Sequence, residues 1–170
     1  HPHLVKLAHE VDETVNLAFL EGIQAVVVDR VSTEQAHRSD VQIGGYFDAH
    51  ATSLGKALLS MRTPEDVQAN YKVTRLNSYT QTTITDLNGL QRELAEIRRL
   101  GYAVNNEERS PGIRSVAAPV INPHGQATFA ISVTGPRARL TDTRIARIGA
   151  RLQEVARDIR DQLTLLVAKS

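Results

Sequence analysis

RSVAAPVINPHGQATFAISVTGP, residues 114–136, reads as two strands and the turn between them. Arg114 to Ile121 and Ala127 to Val133 carry the β-branched and small apolar residues that suit a pleated, packed surface. Asn122-Pro123-His124-Gly125 supplies turn formers in the order a tight reversal needs. A connection this short makes the pair antiparallel. Along the second strand, Ser132 and Thr134 fall on one face and Ile131 and Val133 on the other, because strand side chains alternate. Gly135-Pro136 is expected to end the sheet.

Upstream, Tyr102 to Arg109 reads as a third strand of the same group. Near the start, TVNLAFLEG alternates with Val15, Leu17 and Phe19 on one side, Gly22 turns the chain, and QAVVVDRVS returns, which predicts a second hairpin. A further extended piece spans about Ser39 to Ile43 and ends at Gly44-Gly45. Helical spacing of Leu4, Leu7, Ala8 and Val11 predicts a helix from about Pro2 to Asp12, with proline in its first turn. Thr52 or Ser53 caps another, with Leu54, Ala57, Leu58 and Met61 inward. Pro64 opens a short helix with Glu65 and Asp66 in its first turn, and Lys72 to Thr83 is irregular. Thr85 is expected to cap a helix whose stripe is Leu87, Leu90, Leu94, Ile97 and Leu100, stopped by Gly101. Thr141 caps the last helix, with a seam of Ile145, Ile148, Leu152, Val155, Ile159 and Leu163. That seam suits packing on the chain's own sheet in preference to a second subunit. The order α-β-β-β-α-α-α-β-β-β-α points to the α+β class with an antiparallel sheet.

The 170 residues suit one domain, and 41% hydrophobic content is ordinary for a globular chain. No apolar run approaches the roughly 20 residues that span a bilayer, so no membrane partner is expected. The first residues have no secretory signal pattern, and cysteine is absent, which together predict a cytoplasmic protein. A net charge of +1 and only 4% aromatics argue against this segment itself binding nucleic acid.

HATSLGKALLS, residues 50–60, places Gly-Lys before a run of helix formers and raises the question of a phosphate loop. Such a loop needs glycine five residues before Gly55 and a hydroxyl after Lys56. His50 and Ala57 stand there, so the nucleotide reading fails. What survives is a helix start whose free N–H groups favour an anion. Gly55 is expected to permit close packing, and Lys56 to carry its charge out to solvent. No HExxH or convergent ligand set emerges among His1, His3, His9, His37, His50 and His124, so no metal or cofactor is expected. His124 is expected to face solvent from its turn. No GxSxG elbow occurs, and no nucleophile is paired with a base. Glu107 and Glu108 are adjacent on a strand and face opposite ways, so one is expected solvated and the other salt-bridged. Ser132, Thr134, Ser115 and Asn105, polar residues on apolar strands, suggest a small polar cavity at one end of a sheet.

The chain resembles, nearly end to end, the effector-binding domain of IclR-type bacterial transcription regulators. The resemblance rests on HPHLVKLAHEVDETVNLAFLEG, VVVDRV, HATSLGKALL, TITDLNGLQRELAEIRRLGYAVNNEE, PGIRSVAAPVINPHG and AISVTGP in this order and spacing. It implies a GAF-like fold, a curved antiparallel sheet flanked by helices, with residues 1–170 forming one ligand-sensing domain. It implies no enzymatic activity. It also implies a separate N-terminal winged helix-turn-helix, absent from these residues, that binds operator DNA, often as a repressor. The partner it implies is a small-molecule effector, a small organic or aromatic carboxylic acid, and the assembly it implies is a homodimer or homotetramer. Carried over position by position, the effector site comprises the amides of Ser53 and Leu54, the side chains of Asn105, Ser115, Ser132 and Thr134, and apolar wall from Phe47 and Ile113. The effector's carboxylate is expected at the HATSLGKALL helix start. Family members often have aspartate at position 105 and cysteine at position 115. Asparagine and serine there predict a more polar effector than a hydrocarbon acid. The competing readings are a GAF-like sensor of another signalling protein and a small hydrolase-like enzyme.

Overall fold

Alternation along the strands sorts the apolar residues into two cores, one on each side of a six-stranded antiparallel sheet. The structure, a computed structural model, describes residues 1–34, 41–72 and 74–167, with side chains through 165. In chain order the elements are α1 (Pro2–Val11), β1 (Thr14–Glu21), β2 (Gln24–Val31), β3 (Tyr46–Asp48), a 3-10 turn (Ala49–Ala51), α2 (Ser53–Leu59), α3 (Pro64–Tyr71), α4 (Leu87–Leu100), β4 (Ala103–Asn106), β5 (Ile113–Ile121), β6 (Ala127–Pro136) and α5 (Asp142–Val167). The strand order is β3-β2-β1-β6-β5-β4. The α+β class expected from the sequence, an antiparallel sheet flanked by helices, holds.

One core joins α1 and α5 to Val15, Val116, Val120, Ile131 and Val133. On the α5 seam, Ile145, Ile148, Leu152 and Val155 are buried against the chain's own sheet, while Leu163 is exposed. The other core joins α2, α3 and α4 to a sheet face made mostly of alanines, Ala18, Ala25, Ala103, Ala117 and Ala130, with Val27. Small side chains let α2 settle close to the strands. Leu54, Ala57 and Leu58 fill the gap, and Leu90, Leu94 and Ile97 of α4 close over them.

Gly101 stops α4 as expected, in the left-handed C-cap conformation at φ 83°, and Asp12, just past the end of α1, takes the same conformation. Four expectations shift. The cap of α4 is Asp86, whose carboxylate accepts from the Gly89 N–H at 2.7 Å, in place of Thr85. The third extended segment falls partly outside the described residues. Val41 to Ile43 form no strand, and β3 follows Gly44-Gly45, pairing Asp48 with Gln24. The strand expected to reach Arg109 stops at Asn106, because Glu107 turns to φ 61°. Finally, β6 continues through Gly135-Pro136, and Glu13 packs where a side chain at 135 would project.

Candidate functional site

Strand register gathers the polar residues. Asn105 pairs with Ser115, and Ser115 with Thr134; one step along, Ser132 lies between Ala117 and Asn16. All of these sit on the alanine face, so hydroxyls and amides collect where that face runs out under the start of α2. There they line a cavity of about 480 Å³, within the roughly 300–1,000 Å³ usual for small-molecule sites. All eight residues named from the sequence border it: Phe47, Ser53, Leu54, Asn105, Ile113, Ser115, Ser132 and Thr134.

The start of α2 is built for close approach. Thr52 caps it by accepting from the Gly55 N–H at 3.1 Å. A Cβ at Gly55 would lie 2.2 Å from the Ala49 Cα, so only glycine lets this turn lie on the 3-10 segment. Ser53 Oγ is 2.7 Å from Ser115 Oγ, linking α2 to β5 on the cavity wall. Asn105 donates to the Ala51 carbonyl at 2.9 Å and accepts from the Glu108 N–H at 2.9 Å, so its amide orders the backbone on two sides of the cavity.

Lys56 corrects the expectation of a solvent-directed charge. Its side chain has no exposure, and Nζ donates to Glu93 Oε1 at 2.8 Å, Glu108 Oε1 at 2.8 Å and the Val104 carbonyl at 2.7 Å. An ammonium has three hydrogens, and here each has an acceptor. With β4 and α4 packed around α2, no path to water remains, and carboxylates from α4 and from the loop after β4 replace it.

The adjacent Glu107 and Glu108 also differ from expectation, since both are paired. Glu108 is buried against Lys56. Glu107 receives the Gly112 N–H at 2.7 Å and a bond from Arg137, and these hold its carboxyl below the usual carboxylate range. Thr80 donates to the Glu107 carbonyl at 2.8 Å and Thr83 to that of Glu108 at 2.6 Å. The loop 107–112 is thereby pinned beside the cavity, and Arg109, Ser110, Pro111 and Gly112 line it.

Besides Thr52 and Ser110, two polar residues outside the eight line the cavity. Asn16 is buried in β1; its Nδ2 lies 3.4 Å from both Ser132 Oγ and Thr134 Oγ1, and its Oδ1 has no partner. An amide amid TVNLAFLE, on the face opposite Val15 and Leu17, was the available signal. Arg109 stacks its guanidinium on Tyr79, with Cζ 4.0 Å from the ring centroid. No local pattern announces it, because its position follows from the turn at Glu107. Tyr79 in turn donates to Asp48 at 2.7 Å. His50, buried beside this group, donates from Nε2 to the Asn77 carbonyl at 2.9 Å, and His124 is exposed at its turn. Among the described residues no three His, Asp or Glu side chains converge on a metal position.

This arrangement can enclose a small molecule with a polar wall, an apolar wall and a helix start. The chain matches the family described as bacterial transcriptional regulator IclR C-terminal over residues 1–161. The chain belongs to the IclR family. Among its relatives, the HTH-type transcriptional regulator BhcR of Paracoccus denitrificans is 36% identical over 93% of this chain, which spans 57% of that protein. The crystal structure of Thermotoga maritima IclR superposes with a TM-score of 0.91 at 32% identity, covering 96% of this chain and 66% of that one. An IclR homolog from Microbacterium hydrocarbonoxydans, solved with 4-hydroxybenzoate, superposes at 0.86 with 26% identity, covering 96% and 66%. The IclR family consists of transcriptional regulators, so the reading as a non-enzymatic regulatory domain stands, and that as a hydrolase-like enzyme is set aside.

Proposed function

We propose that this IclR C-terminal domain is the sensor of its regulator, and that a small organic or aromatic acid occupies the cavity beneath α2. The observation carrying this reading is the convergence of eight residues, named from sequence, on one cavity of about 480 Å³. The carboxylate faces the amides of Ser53 and Leu54, which the helix leaves without carbonyl partners. Ser115, Ser132 and Thr134 orient the remainder, while Phe47 and Ile113 cover its apolar part. The 4-hydroxybenzoate bound by the Microbacterium homolog supports this class of ligand. In the full-length regulator, operator DNA is bound by a separate N-terminal winged helix-turn-helix. The protein works in the cytoplasm as a homodimer or homotetramer, and effector binding here changes operator affinity.

Thermal unfolding against a panel of hydroxylated and plain aromatic and aliphatic acids tests the reading. A ligand at 100 times its dissociation constant adds about 2.7 kcal/mol, a rise of roughly 5–11 °C for a domain of this size. The rise should vanish in Ser132→Ala. A panel without a single shift would contradict the ligand class.

A further inference from the structure

Arg109 is the one charged side chain among the described residues that line the cavity. The acids beside it in sequence are committed elsewhere, Glu107 to Arg137 and Glu108 to Lys56. Its own guanidinium makes no ion pair among the described residues, and Nε is buried without a hydrogen-bond partner. Stacking on Tyr79 orients the guanidinium plane without consuming an N–H. The platform is itself held, since Tyr79 donates to Asp48. The loop carrying Arg109 is fixed by the Thr80 and Thr83 hydroxyls and by the Glu107 carboxylate.

A positive charge at the wall of a partly enclosed cavity is unfavourable without a counter-charge. The other polar groups on the wall are neutral. We infer that Arg109 sets the charge selectivity of this site: with the Ser53 and Leu54 amides it accepts one and the same carboxylate, whose oxygens also take N–H bonds from the guanidinium, and it rejects the neutral amide of the same shape. This rests on the reading of the cavity as the effector site and adds the residue that distinguishes acid from isostere. Arginine suits the task better than lysine, because a planar fork both stacks on an aromatic ring and meets two carboxylate oxygens.

Calorimetric titration with benzoate, 4-hydroxybenzoate, benzamide and 4-hydroxybenzamide, on the domain and its Arg109→Gln, Arg109→Lys and Ser132→Ala variants, tests the assignment. Unliganded melting curves establish that each variant folds. The expected result is acid binding by the parent domain, weakened tenfold or more in Arg109→Gln and less in Arg109→Lys, with the amides weak throughout. Acid binding that survives Arg109→Gln but fails in Ser132→Ala would leave the cavity as the site and overturn the role of Arg109. Equal affinity for acids and amides in the parent domain would also overturn it. Binding of none of the four probes would overturn the assignment and count against the effector reading with it.

Discussion

Ser53 Oγ lies 2.7 Å from Ser115 Oγ, so the first residue of α2 is fastened to β5 across 62 residues of sequence. Both side chains are buried on the cavity wall. Removing one partner leaves the other unsatisfied, at a cost of about 1–3 kcal/mol. Ser115→Ala should therefore lower unfolding stability in urea by that amount. Ser53→Ala with Ser115→Ala should cost less than the sum of the single changes, since the double variant strands neither hydroxyl. Strict additivity in this cycle would show that the pair carries no coupling.

Lys56→Met should be among the most destabilising single changes in the domain. It strips the cation from Glu108, which is buried, and from Glu93, which is partly exposed. Breaking a buried ion pair from one side costs roughly 3–5 kcal/mol. Glu93→Gln should be milder, because water reaches that carboxylate. Denaturant midpoints for the two variants measure the difference; a loss below about 1 kcal/mol for Lys56→Met would mean that the pairing is not realised in solution.

Gly55→Ala inserts a methyl group 2.2 Å from the Ala49 Cα and 2.4 Å from its carbonyl oxygen. Both are backbone atoms, so α2 itself must shift. Overpacking of this kind costs about 1–3 kcal/mol, and it displaces the helix start from the cavity. Calorimetric unfolding should show the loss, and ligand-induced stabilisation should fall with it. A variant as stable and as responsive as the parent would show that α2 tolerates displacement.

Burial opposes ionisation of Asp48, but the hydrogen bonds from Tyr79, Asn77 and Gln24 and the nearby His50 together outweigh it and hold the carboxyl below its ordinary value. Because the folded value is the lower one, the stabilisation is complete above the ordinary aspartate range. It is lost as pH falls from about 4 through the folded value. Tyr79→Phe removes one of the donors. Stability measured from pH 7 to pH 2 should decline more gently in that variant below about pH 4. Identical slopes would mean that the tyrosine hydrogen bond does not set the aspartate's titration.

Much of the site was legible because strands alternate. Once Ile131 and Val133 were placed toward one core, Ser132 and Thr134 had to face the other way, and Asn105 and Ser115 followed through the register of β4, β5 and β6. Asn16 obeys the same rule, but the otherwise apolar strand around it masks the signal. The pairing of Lys56 is hidden for a different reason. A lysine four residues past a cap is ordinarily solvated, and nothing local says that α4 and the end of β4 will converge on it with two carboxylates and a carbonyl. Arg109 was unreadable because the left-handed turn at Glu107, a non-glycine residue, lifts the chain out of the strand.

The sequence by itself determined the elements other than β3, the faces they bury, the glycine at position 55 and the family, because periodicity, caps and turns are local and the motif order is specific. The tertiary structure alone decided where the charges go. Whether a cation is paired, stacked or solvated depends on which distant elements enclose it. Enclosure placed Lys56 between two glutamates and left Arg109 facing the cavity without a counter-ion among the described residues.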